Sequence, residues 1–274
     1  MAAISGGKDS ASMLAVLSSL SPRLGFDLVA VHMDLGLGEY SRRSLDKARE
    51  LARALGVELV TISVEDLVGV GVPLLARRAK RPVCSVCGTV KRYLLNAAAV
   101  ELGADSVALG HTLTDIATYI LKEFLRQNLG AIGKLGPKTE RVDGLAVGRI
   151  RPLYEVTERE TLVYALVKGL PFLRDECPYV RRDTMDFTLK RKLLEIERTH
   201  PGTLLGLVRG VYRNIDIYRP EGHVTPCSVC GLISSGEVCS FCKLTRTALG
   251  APSGARIRAL LEELLPSKAS ARKR

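Results

Sequence analysis

Alternating strand and helix signals over the first part of the chain predict an α/β protein whose parallel sheet is flanked by helices. Two further observations complete the expectation. The pattern turns mostly helical beyond Thr157, predicting a helical C-terminal extension, and four closely spaced cysteines predict a small C-terminal zinc module.

The elements follow in order. The apolar residues before Ser5 read as a strand end, and residues 11–20 as the helix it feeds. Residues 28–33 form a β-branched and apolar run closed by the loop Asp34-Leu35-Gly36; helix signals cover 41–55, and 57–64 read as a third strand. A helix over 87–102 leads into a short strand at 106–109, and 112–128 carry Ile116, Ile120, Leu121 and Phe124 at helical spacing. Residues 130–148 are rich in glycine and charge and read as a surface loop or ribbon. Helices are then expected over 157–168, 183–200 and 201–218, a cysteine module over 227–242, an amphipathic helix over 255–265 and a basic tail over 268–274. The implied division is a catalytic domain over 1–180, a helical extension over 181–222, the cysteine module over 223–250, and a short helix with the tail over 251–274.

Open parallel sheets bind ligands at the carboxyl ends of their strands. The glycine turn after the first strand, Asp34, and Gly110-His111 all fall at such ends. In Ser5-Gly6-Gly7-Lys8-Asp9-Ser10 two glycines let the turn approach an anion, the helix start offers unpaired N–H groups, and Lys8 adds charge. The spacing excludes a Walker A loop. The order Ser-Gly-Gly-x-Asp-Ser is similar to the PP-loop of enzymes that split ATP between its α and β phosphates; an ordinary capped Gly-Gly turn is the bland alternative.

Lys and Arg total 40 against 29 Asp and Glu, a net charge of +11, which fits a polyanionic partner, nucleic acid before membrane surface. The stretch 77–92 holds Arg77, Arg78, Lys80, Arg81, Lys91 and Arg92 and no acid, as an RNA phosphate contact would. Few aromatic residues argue for recognition of folded RNA rather than stacking on single strands. No apolar run is long enough to span a bilayer and the start has no signal-peptide pattern, so a cytoplasmic protein is expected.

Seven cysteines divide into four and three. Cys227-x2-Cys230-x8-Cys239-x2-Cys242 has the spacing of a closed, structural tetrahedral Zn²⁺ site, with an iron–sulfur cluster as the weaker alternative. Cys84 and Cys87 open a helix, a position that lowers thiol pKa, and Cys177 stands before Pro178 and Tyr179. These three fit three corners of a 4Fe–4S cluster. Taken alone, the residues favour a persulfide-carrying Cys84–Cys87 redox pair and a buried core thiol at Cys177 over that cluster.

Five segments in order, Ser5 to Ser10, Cys84-Ser-Val-Cys87-Gly with Lys91-Arg92, Gly110-His111-Thr112-Leu113-Thr114-Asp115, Arg151-Pro152-Leu153 with Glu158-Arg159-Glu160, and Glu176-Cys177-Pro178-Tyr179, resemble the TtcA/TtuA family of tRNA 2-thiolation enzymes, in its TtuA type. The resemblance implies a PP-loop fold of the adenine nucleotide alpha hydrolase kind, a homodimer, and ATP-dependent replacement of the uridine C2 oxygen of tRNA by sulfur after adenylylation of that oxygen. It implies that Ser5, Gly6, Gly7, Lys8, Asp9 and Ser10 hold the phosphates with Asp34 near the nucleotide, that Cys84, Cys87 and Cys177 ligate a 4Fe–4S cluster with a free iron, and that Lys91 and Asp115 are catalytic. Lys91 lies one helical turn past Cys87, placed to offset charge on the activated oxygen or the leaving pyrophosphate. Asp115, in a first helical turn, suits Mg²⁺ binding or orienting of the base, or serves the helix start alone. Gly110 and His111 contact nucleotide or fill a turn. The sulfur donor implied is a ubiquitin-like thiocarboxylate protein or free sulfide. The C-terminal cysteines and Cys177-Pro178-Tyr179 favour the T-loop position 54 over the wobble uridine or cytidine 32; the competing readings are another PP-loop tRNA-modifying ligase and a non-catalytic RNA-binding zinc protein. Family members carry a Cys/His finger and a longer first strand ahead of the loop, where this sequence has Met1-Ala2-Ala3-Ile4.

Overall fold

The structure, a computed structural model, describes residues 1–218 and 224–265. Among them the chain builds a sheet in the order β3-β2-β1-β4-β6-β5. Its strands are β1 (Ala2–Ile4), β2 (Val29–Asp34), β3 (Glu58–Ser63), β4 (Ser106–Ala108), β5 (Lys138–Thr139) and β6 (Gly148–Ile150). All neighbours are parallel except the edge pair of β5 with β6. The helices are α1 (Lys8–Leu24), α2 (Glu39–Leu55), α3 (Val64–Val68), α4 (Val72–Arg78), α5 (Val83–Glu101), α6 (Leu113–Leu125), α7 (Leu129–Ile132), α8 (Glu158–Val167), α9 (Met185–Thr199), α10 (Thr203–Arg213), α11 (Ser240–Leu249) and α12 (Gly254–Leu264); a two-stranded ribbon, β7 (Thr225–Pro226) with β8 (Ile233–Ser234), precedes α11.

β1 is central although only three residues long. Two bonds extend its pairing to the first residue: the Met1 ammonium donates to the Ser106 carbonyl at 3.0 Å, and the Ala108 N–H donates to the Met1 carbonyl at 2.8 Å. Strand order reverses between β1 and β4, so a crevice opens where both strands end. The glycine turn follows β1 and Gly110-His111 follow β4, so both fall on that crevice.

Three larger cores and a small one around Ala99, Val107 and Val147 hold this frame. Ala2 and Ile4 pack with Met13, Leu14 and Leu51 on the α1–α2 face. The opposite face joins Val31 and Ile62 to α4 and α5 and to all four cysteines of the C-terminal module, which shares a core with the sheet. α6, α9 and α10 form a third cluster around Ile116, Leu193 and Val208.

Residues 130–148 correct the expectation of a simple loop or ribbon. They hold the end of α7, the strand β5 and a bridge between Val142 and Ala146, and Gly148 then opens β6, which extends the main sheet beside β4. Strands of two or three residues that begin at glycine carry no readable alternation. α3 and α4 also escaped the sequence, being one or two turns long. The tail expected over 268–274 lies outside the described residues.

Candidate functional site

The turn after β1 is built to bring backbone close to an anion. Gly6 has φ +80°, and a Cβ there would stand 2.7 Å from the Ser44 carbonyl oxygen of α2. The loop's carbonyls are tied down: Ser44 Oγ donates to Ser5 O at 2.7 Å, Leu173 N to Gly6 O at 2.8 Å, and Ser10 Oγ to Gly7 O at 2.9 Å. Ser10 Oγ also accepts from the Ser5 N–H at 3.1 Å. With those carbonyls committed, the N–H groups of the first turn of α1 lack intrahelical acceptors, the arrangement that cradles phosphate. Lys8 Nζ rests 2.8 Å from Asp9, and Asp9 accepts from Thr161 Oγ1 in α8. Gly110 lies against α1 so closely that a Cβ would meet Ser10 Cα at 3.2 Å. Asp34 Oδ1 accepts from Gly36 N at 2.9 Å, fixing the loop after β2.

α5 begins at Val83, so Cys84 lies in its first turn and Cys87 opens the second. Cys84 is exposed, and Cys87 and Cys177 are half-buried against one core. The Cys84 thiol donates to the Tyr179 carbonyl at 3.4 Å, two residues past Cys177, and Cys87 lies within the electrostatic reach of both other thiols. The structure therefore brings the three cysteines together. The expectation of a lowered thiol pKa is reversed at Cys87: burial pushes it up, outweighing the charge and hydrogen bond of Lys91 one turn further on.

Lys91 links this cluster to the next group of residues. His111 feels Lys91, Arg149, Arg151 and Asp115; burial first and then Arg151 hold it below the usual imidazole range, so the ring is neutral. Its Nδ1 is buried without a partner among the described residues, and its edge meets Tyr119 at 6.0 Å between ring centroids. Asp115 is third in α6 and closes a capping box, its Oδ2 accepting from Thr112 N at 3.1 Å and Thr112 Oγ1 at 3.0 Å. Oδ1 of the same carboxylate faces Lys190 Nζ of α9 at 3.3 Å, and Lys190 also pairs with Glu158, the first residue of α8. Burial pushes the Asp115 carboxyl up, but Lys190 and the Thr112 N–H together hold it below its usual range.

Lys190, Thr161 and Ser44 were missed by the sequence. Lys190 sits in an ordinary amphipathic helix with no motif around it; Thr161 follows the Thr157-x-x-Glu160 capping box, the one local signal for where α8 starts. The six cations of residues 77–92 are all exposed, and none forms an ion pair among the described residues.

Cys227, Cys230, Cys239 and Cys242 are buried, with all four sulfurs within 4.8 Å of one another. Gly231 turns at φ +73° after the first pair, and the Cys239 and Cys242 N–H groups point at Cys227 and Cys239 sulfurs at 3.3 and 3.5 Å. N–H bonds to sulfur stabilise thiolates, and four thiols converging in this way fit one tetrahedral ion. Tyr93 of α5 stacks on Phe241 at 3.9 Å and donates to the Gly254 carbonyl at 2.8 Å, fixing the module to the site-bearing helix.

A family model described as a PP-loop domain matches residues 1–194. A tRNA-5-methyluridine(54) 2-sulfurtransferase from Pyrococcus horikoshii is 37% identical over 89% of this chain and 77% of its own length. The enzyme of that name from Thermus thermophilus is 37% identical over 100% of this chain and 82% of its own. The chain belongs to the PP-loop family of tRNA 2-thiolation enzymes. A solved structure, the U34-tRNA thiolase NcsA from Methanococcus maripaludis with its [4Fe-4S] cluster, superposes with a TM-score of 0.74 at 26% identity, covering 89% of this chain and 79% of that one. Among the described residues of this family member, no helix is long and apolar enough to cross a membrane.

Proposed function

We propose that this PP-loop enzyme thiolates C2 of the 5-methyluridine at tRNA position 54 in an ATP-dependent reaction. The observation that carries the reading is the placement of Lys91 within electrostatic reach of both Cys87 and His111, with Cys84 and Cys177 near Cys87, Asp115 near His111, and Gly110 against the phosphate-loop helix; the two relatives named for position 54 support the choice of nucleotide.

The reaction runs in two displacements. The uridine O2 attacks the α-phosphorus, the bond to the β-phosphate oxygen breaks and pyrophosphate leaves; sulfur then attacks C2, the C2–O bond breaks and AMP departs with the oxygen. Ser5, Gly6, Gly7, Ser10 and the first turn of α1 hold the phosphates, Lys8 compensates their charge, and Mg²⁺ would accompany them. Asp34 and Gly110 shape the nucleotide's surroundings. Lys91 counters the charge that develops as pyrophosphate leaves. Neutral His111 and ionised Asp115 orient the base, His111 through its unpartnered Nδ1. Cys84, Cys87 and Cys177 would hold a 4Fe–4S cluster as its thiolate donors, and such a group would supply an iron free of protein thiolate that could bind sulfur. Zn²⁺ suits the C-terminal four-cysteine set, which shares a core with α5 and is closed to substrate.

The exposed cations of residues 77–92 face the RNA backbone in this reading. Sulfide or a ubiquitin-like thiocarboxylate protein serves as donor, in the cytoplasm. The enzyme acts as a homodimer, in which the exposed apolar residues Val163, Leu166 and Val167 of α8 offer a surface to cover.

Position 34 is the second reading, favoured by the structural match to a U34-tRNA thiolase. Mass spectrometry of nucleosides from a defined tRNA after incubation with ATP and sulfide separates the two: 2-thio-5-methyluridine in a T-loop fragment is expected, and product confined to the anticodon fragment would overturn the assignment.

A further inference from the structure

Among the described residues, Lys190 is the one cation that pairs with both Asp115, the proposed base-orienting acid, and Glu158, at the start of the helix beside the phosphate loop. Its ammonium stands 3.3 Å from Asp115 Oδ1 and pairs with Glu158. Asp115 needs it, because its other oxygen is consumed by two bonds from Thr112 that serve the start of α6. Among the described residues, Lys190 makes the ion pair on the remaining oxygen, Oδ1, and so fixes its direction.

Glu158 leads to the phosphate loop. It opens α8, and its carbonyl lies 3.0 Å from Thr161 Oγ1, whose single proton is shared between that carbonyl and Asp9 of α1. Ser12 Oγ of α1 donates to the Thr161 carbonyl at 3.1 Å, seating the first turn of α8 on the helix that cradles phosphate. A chain of direct contacts thus runs from Asp9 through Thr161, Glu158 and Lys190 to Asp115. α9 is held in place for this role by packing on α6, where Leu193 lies in the same core as Ile116 and Ala117.

We infer that Lys190 is a positioning residue for the thiolation reaction: it fixes the free oxygen of Asp115 toward the reacting base and ties that orientation to the α8 turn that lines the ATP loop. The inference rests on the proposed role of Asp115. Because Lys190 touches carboxylates and not the phosphate loop itself, its loss acts on the chemical step and leaves ATP capture intact. A guanidinium can span the same two carboxylates, so Lys190→Arg retains the function that Lys190→Met loses.

The test is single-turnover thiolation of a tRNA that carries 5-methyluridine at position 54, by anaerobically purified holoenzyme with sulfide at saturating ATP, with ATP affinity and melting temperature measured on the same samples. Lys190→Met is expected to slow the step by at least about tenfold with ATP affinity within about threefold of wild type, and Lys190→Arg to recover most of the rate. Combined with Asp115→Asn, Lys190→Met should add no further loss, because the two residues act as one unit. Wild-type rate in Lys190→Met, a loss that multiplies with that of Asp115→Asn, or a melting-temperature collapse that Lys190→Arg does not repair would overturn the inference. Where Lys190→Met fails to fold, Glu158→Gln decides: a reduced rate that does not multiply with Asp115→Asn supports the inference, and an unchanged rate overturns it. Wild-type enzyme that forms no thiolated tRNA would overturn the functional reading and the inference together; active wild type beside an unaffected Lys190→Met overturns the inference alone.

Discussion

Gly6 and Asp9 show how single residues set the geometry of the phosphate loop. At φ +80°, with the Ser44 carbonyl 2.7 Å from where a Cβ would stand, Gly6→Ala meets both backbone strain and backbone overlap, and α2 must move to admit it. We expect it to cost about 1–3 kcal/mol, read from the denaturant midpoint; an unchanged midpoint would contradict the loop geometry. Lys8→Ala removes one partner of a partly exposed ion pair, worth at most about 1 kcal/mol of stability, while ATP-dependent thiolation should fall at least about 100-fold. Asp9→Ala should lose activity similarly and also lower the melting temperature, since the Thr161 hydroxyl loses the contact that joins α8 to α1 and keeps only the Glu158 carbonyl of its own helix. Equal stability of the two variants, or full thiolation by either at limiting ATP, would argue against these roles. The six residues of the loop were legible because spacing alone specifies such a turn. Lys190 was not, since a lysine on an amphipathic helix looks the same whether it meets solvent or a carboxylate from another element.

The strands and helices differ in how plainly they announce themselves. α2, α5 and α6 carry long apolar periodicity and were read close to their observed bounds, whereas β6 has three residues and becomes a strand only by pairing with β4. In β2, the His32 Nδ1 lies 3.1 Å from the Ile4 carbonyl and so carries the proton, leaving Nε2 buried and without a partner among the described residues. Burial holds its pKa below the ordinary 6.5, against the pull of the Ile4 bond and Asp34. The unfolded chain then binds a proton that the folded one refuses, so stability is full above 6.5 and falls as pH drops below it. His32→Gln should flatten that decline in unfolding experiments between about pH 7.5 and 5; identical slopes in variant and wild type would contradict it. The cysteine module gives a further test at this scale. Cys242 is 0% exposed in the core shared with Tyr93, so Cys242→Ser should release one equivalent of Zn²⁺ and lower the main thermal transition while the iron chromophore stays. Loss of iron with zinc retained would reverse the division of the cysteines.

Taken as a whole, the molecule draws its active crevice from elements scattered along the chain. The reversal of strand order between β1 and β4 puts the phosphate loop and His111 at one opening, α5 brings Cys84, Cys87 and Lys91 to its rim, and the segment before α9 returns Cys177 to the same place. The sheet class and the cysteine module were legible because alternation and Cys-x2-Cys spacing are local. The meeting of Cys177 with Cys84 and Cys87 was expected only through the family resemblance, because residues 90 and 93 positions apart are joined only by the finished fold. In the proposed reaction the three cysteines and the phosphate loop act together. Anaerobic incubation of the enzyme with tRNA, ATP and sulfide, followed by nucleoside mass spectrometry, tests it most directly when wild type and Cys177→Ser are run side by side. The account predicts ATP-dependent 2-thio-5-methyluridine from wild type and none from Cys177→Ser, which still binds ATP; undiminished product from Cys177→Ser, or product from wild type without ATP, would contradict it.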